Sequence, residues 1–128
     1  MKPLIFISLF CALGTSLFAC PNDPNALALI PEGNSPPAHI SIAPQAISEP
    51  FDATVQICSE LSFVALAFDA TMPAHQHGMN YDVTVQKTAP GFFQIENIVF
   101  HMPGLWEIKI EAISGSIQHF YKAEVMVE

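Results

Sequence analysis

The residues best suited to chemistry lie in a short segment near the middle of the chain. Residues 72–79 hold two histidines and two methionines within eight residues, and Pro73 and Gly78 mark the segment as a loop. A second loop of the same kind follows at residues 100–104, where a histidine and a methionine again lie beside proline and glycine. Both loops therefore present the same two kinds of side chain.

Imidazole and thioether groups, with no thiolate nearby, favour soft or borderline metal ions. Methionine favours Cu(I), and histidine accepts both oxidation states of copper. Zinc more often recruits cysteine or carboxylate, and calcium and magnesium require several oxygens. We therefore predict a copper site, with Cu(I) favoured over Cu(II). The predicted ligands are His75, His77, Met79, His101 and Met102, with Met72 as a further candidate.

The alternative is that both loops are structural. In that case the histidines hydrogen-bond within packed corners and the methionines fill gaps in a core, as methionine does well. Either cluster alone would fit this interpretation, whereas two clusters of the same donor type favour the metal site. His39 and His119 lie at apparent strand ends outside the loops, and we do not assign them as ligands.

Apolar residues that alternate with polar ones predict the strands that position these loops. The pattern is clearest where Trp106, Ile108, Ile110 and Ala112 alternate with charged residues. The nearly continuous apolar run at 61–68 predicts a central strand covered on both faces. Similar alternation marks residues 39–42, 52–57, 82–86 and 121–128. Short strands with closely spaced turns predict an all-β fold, an antiparallel immunoglobulin-like β-sandwich of about seven strands.

The beginning of the chain predicts export. Residues 1–19 start with Lys2, continue in an apolar run and end in small residues before Cys20, as a secretory signal peptide does. The apolar run is too short for a membrane span, and we expect no transmembrane segment in the exported chain. A Pro-rich N-terminal arm follows at 20–37, and the β-sandwich domain occupies 38–128. We expect a periplasmic or otherwise exported protein.

Two cysteines, Cys20 and Cys58, remain after removal of the signal peptide. In an oxidising compartment a disulfide between them is the economical prediction. Residues 17–20 also resemble a bacterial lipobox, in which Cys20 would carry a lipid and anchor the protein to a membrane. The two alternatives compete for one sulfur atom, and the residues leave both open.

Composition excludes other functions. The 128 residues carry a formal net charge of −8. The basic side chains are only Lys2, Lys87, Lys109 and Lys122, which cannot neutralise a phosphate backbone, so nucleic acid is excluded as a partner. The chain has no nucleophile elbow, HExxH motif or phosphate loop, and its acidic residues are spread singly. We expect a protein that is not an enzyme.

Both loops also carry a family resemblance. Residues 69–81, 91–93 and 100–107 resemble the YtkA-like family of small exported domains, which typically show an MPxHxHGM loop and an F-x-M-x-G-x-W/Y ending. The resemblance extends over roughly residues 51–128. It implies an immunoglobulin-like β-sandwich in the periplasm, a link to copper handling, and an exported protein that donates or receives copper as a partner.

The resemblance also bears on individual residues. It favours a disulfide between Cys20 and Cys58, because this pair recurs in close relatives. Trp106 matches a position where the ring would lie in the core beneath the loops. Gly78 and Gly104 would supply backbone conformations that a side chain would obstruct.

Overall fold

The protein folds as two antiparallel β-sheets that face each other. The computed structural model describes residues 20–43 and 46–128, so the predicted signal peptide at 1–19 lies outside the described residues. Within this part of the chain there is no helix. The predicted all-β sandwich is confirmed, whereas its immunoglobulin-like identity stays a prediction.

In the described part of the chain, ten strands make up the two sheets. In chain order they are β1 (Ala26–Ala28), β2 (Ile30–Pro31), β3 (Ala38–Ile42), β4 (Phe51–Ile57), β5 (Phe63–Met72), β6 (His77–Gly78), β7 (Thr84–Ala89), β8 (Phe92–Ile98), β9 (Gly104–Ser114) and β10 (Ile117–Val127). Sheet A has the order β1-β3-β4-β8-β7, and sheet B has the order β2-β10-β9-β5-β6. Three strands, β1, β2 and β6, have only two or three residues each, and β8 lies outside the segments whose alternation predicted a strand. The seven longer strands match the predicted number.

The core lies between the sheets and is built from alternate residues of each strand. On β9 the inward side chains, from Trp106 to Ala112, are at most 2% exposed, as the alternation predicted. Sheet A supplies Val55, Phe93 and Ile95 from the opposite side, and all three are fully buried. Burial of these apolar side chains, at roughly 25 cal/mol per Å², is the main favourable contribution to folding.

The prediction that the apolar run at 61–68 is covered on both faces is wrong. Within β5 the side chains of Phe63, Leu66 and Phe68 are buried, whereas Val64 is 62% exposed and Ala67 is also exposed. Antiparallel sheets of a sandwich commonly pack one face on the core and leave the other to solvent. The outer face of β5 carries apolar residues that are small or β-branched. Its sequence therefore has the same unbroken apolar run as a strand buried on both faces, although only one face is buried.

The N-terminal arm belongs to both sheets. The predicted arm contains two short strands: β1 pairs with β3 in sheet A, and β2 pairs with β10 in sheet B. Leu29, which lies between them, is buried, and its N–H donates to the carbonyl of Ala38 at 2.9 Å. The Tyr121 hydroxyl donates to the carbonyl of Pro36 at 2.9 Å. The arm therefore crosses from one sheet to the other and covers one side of the core.

A disulfide joins the beginning of the arm to the end of β4. Cys20 and Cys58 are bonded, their Cα atoms are 5.1 Å apart, and they are 38 residues apart in sequence. The predicted pairing is confirmed, and a sulfur in this bond cannot also carry a lipid thioether. In the chain-entropy model, closing a loop of this length stabilises the fold by about 4 kcal/mol.

Candidate metal site

The first histidine-rich segment is a tight hairpin rather than an irregular loop. The strand predicted from the apolar run at 61–68 continues as β5 to Met72, and the chain then turns back so that His77 in β6 pairs with Met72. The N–H of His75 donates to the carbonyl of Met72 at 3.2 Å, and Gln76 adopts a positive φ of 54°. This turn leaves the side chains of His75 and His77 exposed.

The second segment, residues 100–104, lies between the end of β8 and the beginning of β9 and packs on the core. Phe100 is buried, and its ring stacks on Trp106 with centroids 4.9 Å apart. The indole Nε1 of Trp106 donates to the carbonyl of Met102 at 3.0 Å. His101 meets the same indole edge to face, with centroids 5.4 Å apart. Trp106 therefore lies under this segment, as predicted, and is fully buried.

Together, these two segments bring three histidines to one end of the sandwich. The ring of His77 lies 6.1 Å from that of His75 and 6.5 Å from that of His101, measured between centroids. An imidazole nitrogen lies about 2 Å from a metal that it binds, so two rings on one ion have centroids roughly 5 to 6 Å apart once the ring radius is included. The observed spacings lie at or just beyond the upper end of that range. The rings of His75 and His77 are stacked, with an interplanar angle of 17°, so their side chains would have to rotate before both could bind one ion with His101.

One nitrogen of His101 stands out within this group. Its Nδ1 is buried and has no hydrogen-bond partner among the described residues. An unsatisfied buried polar atom costs about 1–3 kcal/mol. A metal ion that accepts the lone pair of this nitrogen, or a side-chain movement that exposes the nitrogen to water, would remove that cost.

The predicted methionine ligands differ in their surroundings. Met79 and Met102 are partly buried and pack against the edge of the core. Met72 is only 1% exposed. A Cβ built on Gly104 would lie 2.9 Å from its Cε, which places Met72 directly beneath the second segment. Met79 and Met102 are thus only partly covered, whereas Met72 is a core residue in this structure.

The two glycines of the loops also differ. Gly104 has a φ of +128°, which side chains rarely adopt, so its predicted conformational role is confirmed. The same prediction is wrong for Gly78, where a Cβ would meet nothing within 4 Å and φ is not positive. The main chain at Gly78 is ordinary strand, because this residue pairs with Thr71 in the β5–β6 hairpin.

The surroundings of Met79 are acidic. Asp69 and Asp82 line a shallow cavity of about 330 Å³ together with Met79 and Tyr81. Both carboxylates lie on exposed residues. Negative charge near a donor group raises the local concentration of cations, so the two carboxylates beside Met79 favour binding of a metal ion there.

A second group of donor atoms, which the sequence did not reveal, lies elsewhere. The ligand atoms of Cys20, His39 and Cys58 are all within 4.8 Å of one another, so this group could hold a metal ion, although its sulfurs are bonded to each other. It is the one group of three or more His, Cys, Asp or Glu donors found in residues 20–43 and 46–128. His39 was not assigned as a ligand, because its place beside the cysteines depends on the pairing of β3 with β4.

Comparison with known proteins adds no relative. No protein-family model, no curated protein and no solved structure matches this chain. Among the residues that the structure describes, no helix has the length and apolar character needed to cross a membrane.

Proposed function

We propose that this protein is an exported module of the YtkA-like kind that binds copper, with Cu(I) preferred over Cu(II), at the two histidine-containing segments. The observation that carries the proposal is the convergence of His75, His77 and His101, together with the buried and unpartnered Nδ1 of His101. A fold rarely buries a polar atom without a partner. The Nε2 of His119 is also buried without a partner, so the convergence of the three histidines is what distinguishes His101.

The donor set fits copper better than the alternatives. His75, His77 and His101 would hold the ion, and the partly buried Met79 and Met102 would supply thioethers to complete the site. Thioether donors favour Cu(I), and imidazole binds copper in either oxidation state. The ion, when bound, would serve as cargo rather than as a reactive centre, since the proposed role is binding and not catalysis.

The two sides of this site differ in rigidity, and this difference suits delivery. His101 and Met102 belong to a segment held by the hydrogen bond and ring contacts of Trp106. His75 and His77 belong to an exposed two-stranded hairpin whose second strand has only two residues. Ligands on the hairpin can exchange for those of another protein while the rigid half still holds the ion. We propose an exported protein that donates or receives copper as the partner.

The test is a Cu(I) competition titration against a chromophoric chelator. Ascorbate keeps the copper reduced and, unlike a thiol, leaves the disulfide intact. The wild type should bind one ion, and a variant with His75, His77 and His101 replaced by alanine should bind at least about 100-fold more weakly, since outer-shell partners alone are worth 10–100-fold. His119→Asn, which changes a buried histidine outside both segments, is the matched control. Failure of the wild type to compete, or unchanged affinity of the triple variant, would refute the proposal.

A structural role for the two segments is the second candidate, and the packing of Phe100, Met72 and Trp106 favours it for the second segment. This candidate predicts that replacing His75 and His77 together by alanine lowers the melting temperature in metal-free buffer. Both side chains are exposed, so the copper proposal predicts a change within about 0.5 kcal/mol. Thermal unfolding of this double variant without metal therefore separates the two candidates.

A further inference from the structure

Three metal-binding groups meet at the end of sheet A where the N-terminal arm begins. The donor atoms of Cys20, His39 and Cys58 lie within 4.8 Å of one another. His39 and Cys58 are 9% and 7% exposed, whereas Cys20 is partly exposed. Two sulfurs and an imidazole therefore already occupy the arrangement of a three-ligand site, and the disulfide between the sulfurs is what closes it.

The sheet holds two of these three residues in place independently of the disulfide. His39 belongs to β3, which pairs with β4, and Cys58 directly follows β4, where its N–H donates to the carbonyl of Pro37 at 2.8 Å. Cys20 lies on the arm, which rejoins the sheet where Ala28 pairs with His39. Breaking the disulfide frees the beginning of the arm but leaves the main-chain hydrogen bonds that position His39 and Cys58.

We infer that Cys20, His39 and Cys58 form a redox-gated binding site for a thiophilic cation, either Zn²⁺ or Cu(I). In the oxidised form the two sulfurs are bonded to each other and carry no thiolate charge, so the site is closed. In the reduced form two thiolates and one imidazole provide a Cys₂His donor set. Such a set binds zinc with a fourth position left open, and its soft sulfurs also suit Cu(I).

A dithiol reductant can open this site. A thiolate of the reductant attacks Sγ of Cys20, which is the more exposed sulfur, and the disulfide breaks with Cys58 leaving as a thiolate. The second thiol of the reductant attacks the mixed disulfide and releases Cys20, so that the reductant ends as its own disulfide. Two electrons and two protons have then passed to the cysteines, and a metal ion that binds displaces the protons from the thiols.

This site is separate from the copper site proposed above. In sheet A, Gln56 near the end of β4 pairs with Phe92 at the start of β8, whereas the second histidine segment follows Ile98 at the other end of β8. Seven residues of extended strand span roughly 20 Å. The two sites therefore lie at opposite ends of the sheet, and either can fail without the other.

The test uses Zn²⁺ as the probe and a variant in which His75, His77 and His101 are alanine, so that loop ligands do not contribute. Zinc binding is measured by competition with a chromophoric chelator before and after reduction with a phosphine, because dithiols themselves bind zinc. Protection of the two cysteines from alkylation is measured by mass, and far-ultraviolet circular dichroism monitors the β-sheet signal. His39→Asn is compared with His119→Asn, which changes a buried histidine outside the group of three donors; both variants keep both cysteines, and so the disulfide until it is reduced.

We expect the oxidised protein to bind no zinc at this site and the reduced protein to bind one equivalent that protects both cysteines. His39→Asn should weaken that binding about 100-fold, since even outer-shell partners of a metal are worth 10–100-fold, and His119→Asn should not. Absence of an additional equivalent on reduction would overturn the inference. So would equal affinity of wild type and His39→Asn, or loss of the β-sheet signal on reduction, because the site depends on the pairing of β3 with β4.

Discussion

The indole of Trp106 donates its N–H to the main-chain carbonyl of Met102, 3.0 Å away, and so holds the beginning of β9 to the segment that precedes it. The same ring also contacts the rings of Phe100 and His101. One buried side chain thus determines where His101 and Met102 lie relative to the core. The proposed copper site depends on this contact although Trp106 itself offers no metal ligand.

Replacing Trp106 with phenylalanine should lower both stability and copper affinity. The change removes the hydrogen bond and leaves the carbonyl of Met102 without its donor, which costs about 1–3 kcal/mol, and the smaller ring leaves a void. Chemical denaturation should report the loss of stability, and Cu(I) competition should report weaker binding. Phe120→Leu, at an exposed aromatic residue of β10, is the control and should change the free energy of unfolding by no more than about 0.5 kcal/mol. Unchanged stability of Trp106→Phe would show that the hydrogen bond to Met102 contributes nothing.

His101→Phe should separate binding from stability. Phenylalanine keeps the ring beside Trp106 but removes the buried Nδ1 that lacks a partner. Because an unsatisfied buried polar atom is costly, the variant should be as stable as the wild type in metal-free buffer, or more stable by about 1 kcal/mol. Its Cu(I) affinity should fall. A marked loss of stability without metal would mean that the imidazole of His101 has a structural role.

The sequence predicted the strands that have one buried and one exposed face. In β9 and β10 the alternation of apolar and polar residues maps onto buried and exposed positions, because each side chain of a strand points to the opposite face from the next. The pairing of Cys20 with Cys58 was also predicted, since the export signal implies an oxidising compartment and leaves two cysteines.

Features that depend on strand register were not predicted. Pro73 and Gly78 suggested an irregular loop, but β5 runs on to Met72, and the β6 pairing that makes a hairpin involves only two residues. His39 has no distinguishing neighbours in sequence, and its position beside the disulfide follows from the pairing of β3 with β4. Register arises from contacts between distant segments, which local patterns do not contain.

The two loop glycines provide a matched pair of substitutions. Gly104→Ala places a side chain at φ +128° and within 2.9 Å of Cε of Met72. The methionine can move, so the backbone strain should dominate, at about 1–3 kcal/mol. Gly78→Ala meets open space and should change the free energy of unfolding by no more than about 0.5 kcal/mol. Chemical denaturation of both variants checks this difference, and equal effects would contradict it.

Tyr121 should make the protein lose stability at alkaline pH. Burial raises the pKa of Tyr121 from its ordinary value of 10.0 to about 12. The unfolded chain therefore loses the phenolic proton first as pH rises. The contribution of Tyr121 is present in full below pH 10, declines between the two pKa values, and falls no further once both states are ionised above about pH 12.

Comparing the two tyrosines tests the source of this decline. Tyr121→Phe should be less stable at neutral pH by about 1 kcal/mol, because it loses the hydrogen bond to the carbonyl of Pro36, but its stability should fall less steeply between pH 10 and 12. Tyr81→Phe alters an exposed phenol and should follow the wild type throughout. Denaturant unfolding of the three proteins at several alkaline pH values gives the slopes. Parallel slopes for wild type and Tyr121→Phe would show that the buried phenol is not the group responsible, since every other titrating side chain is common to both proteins.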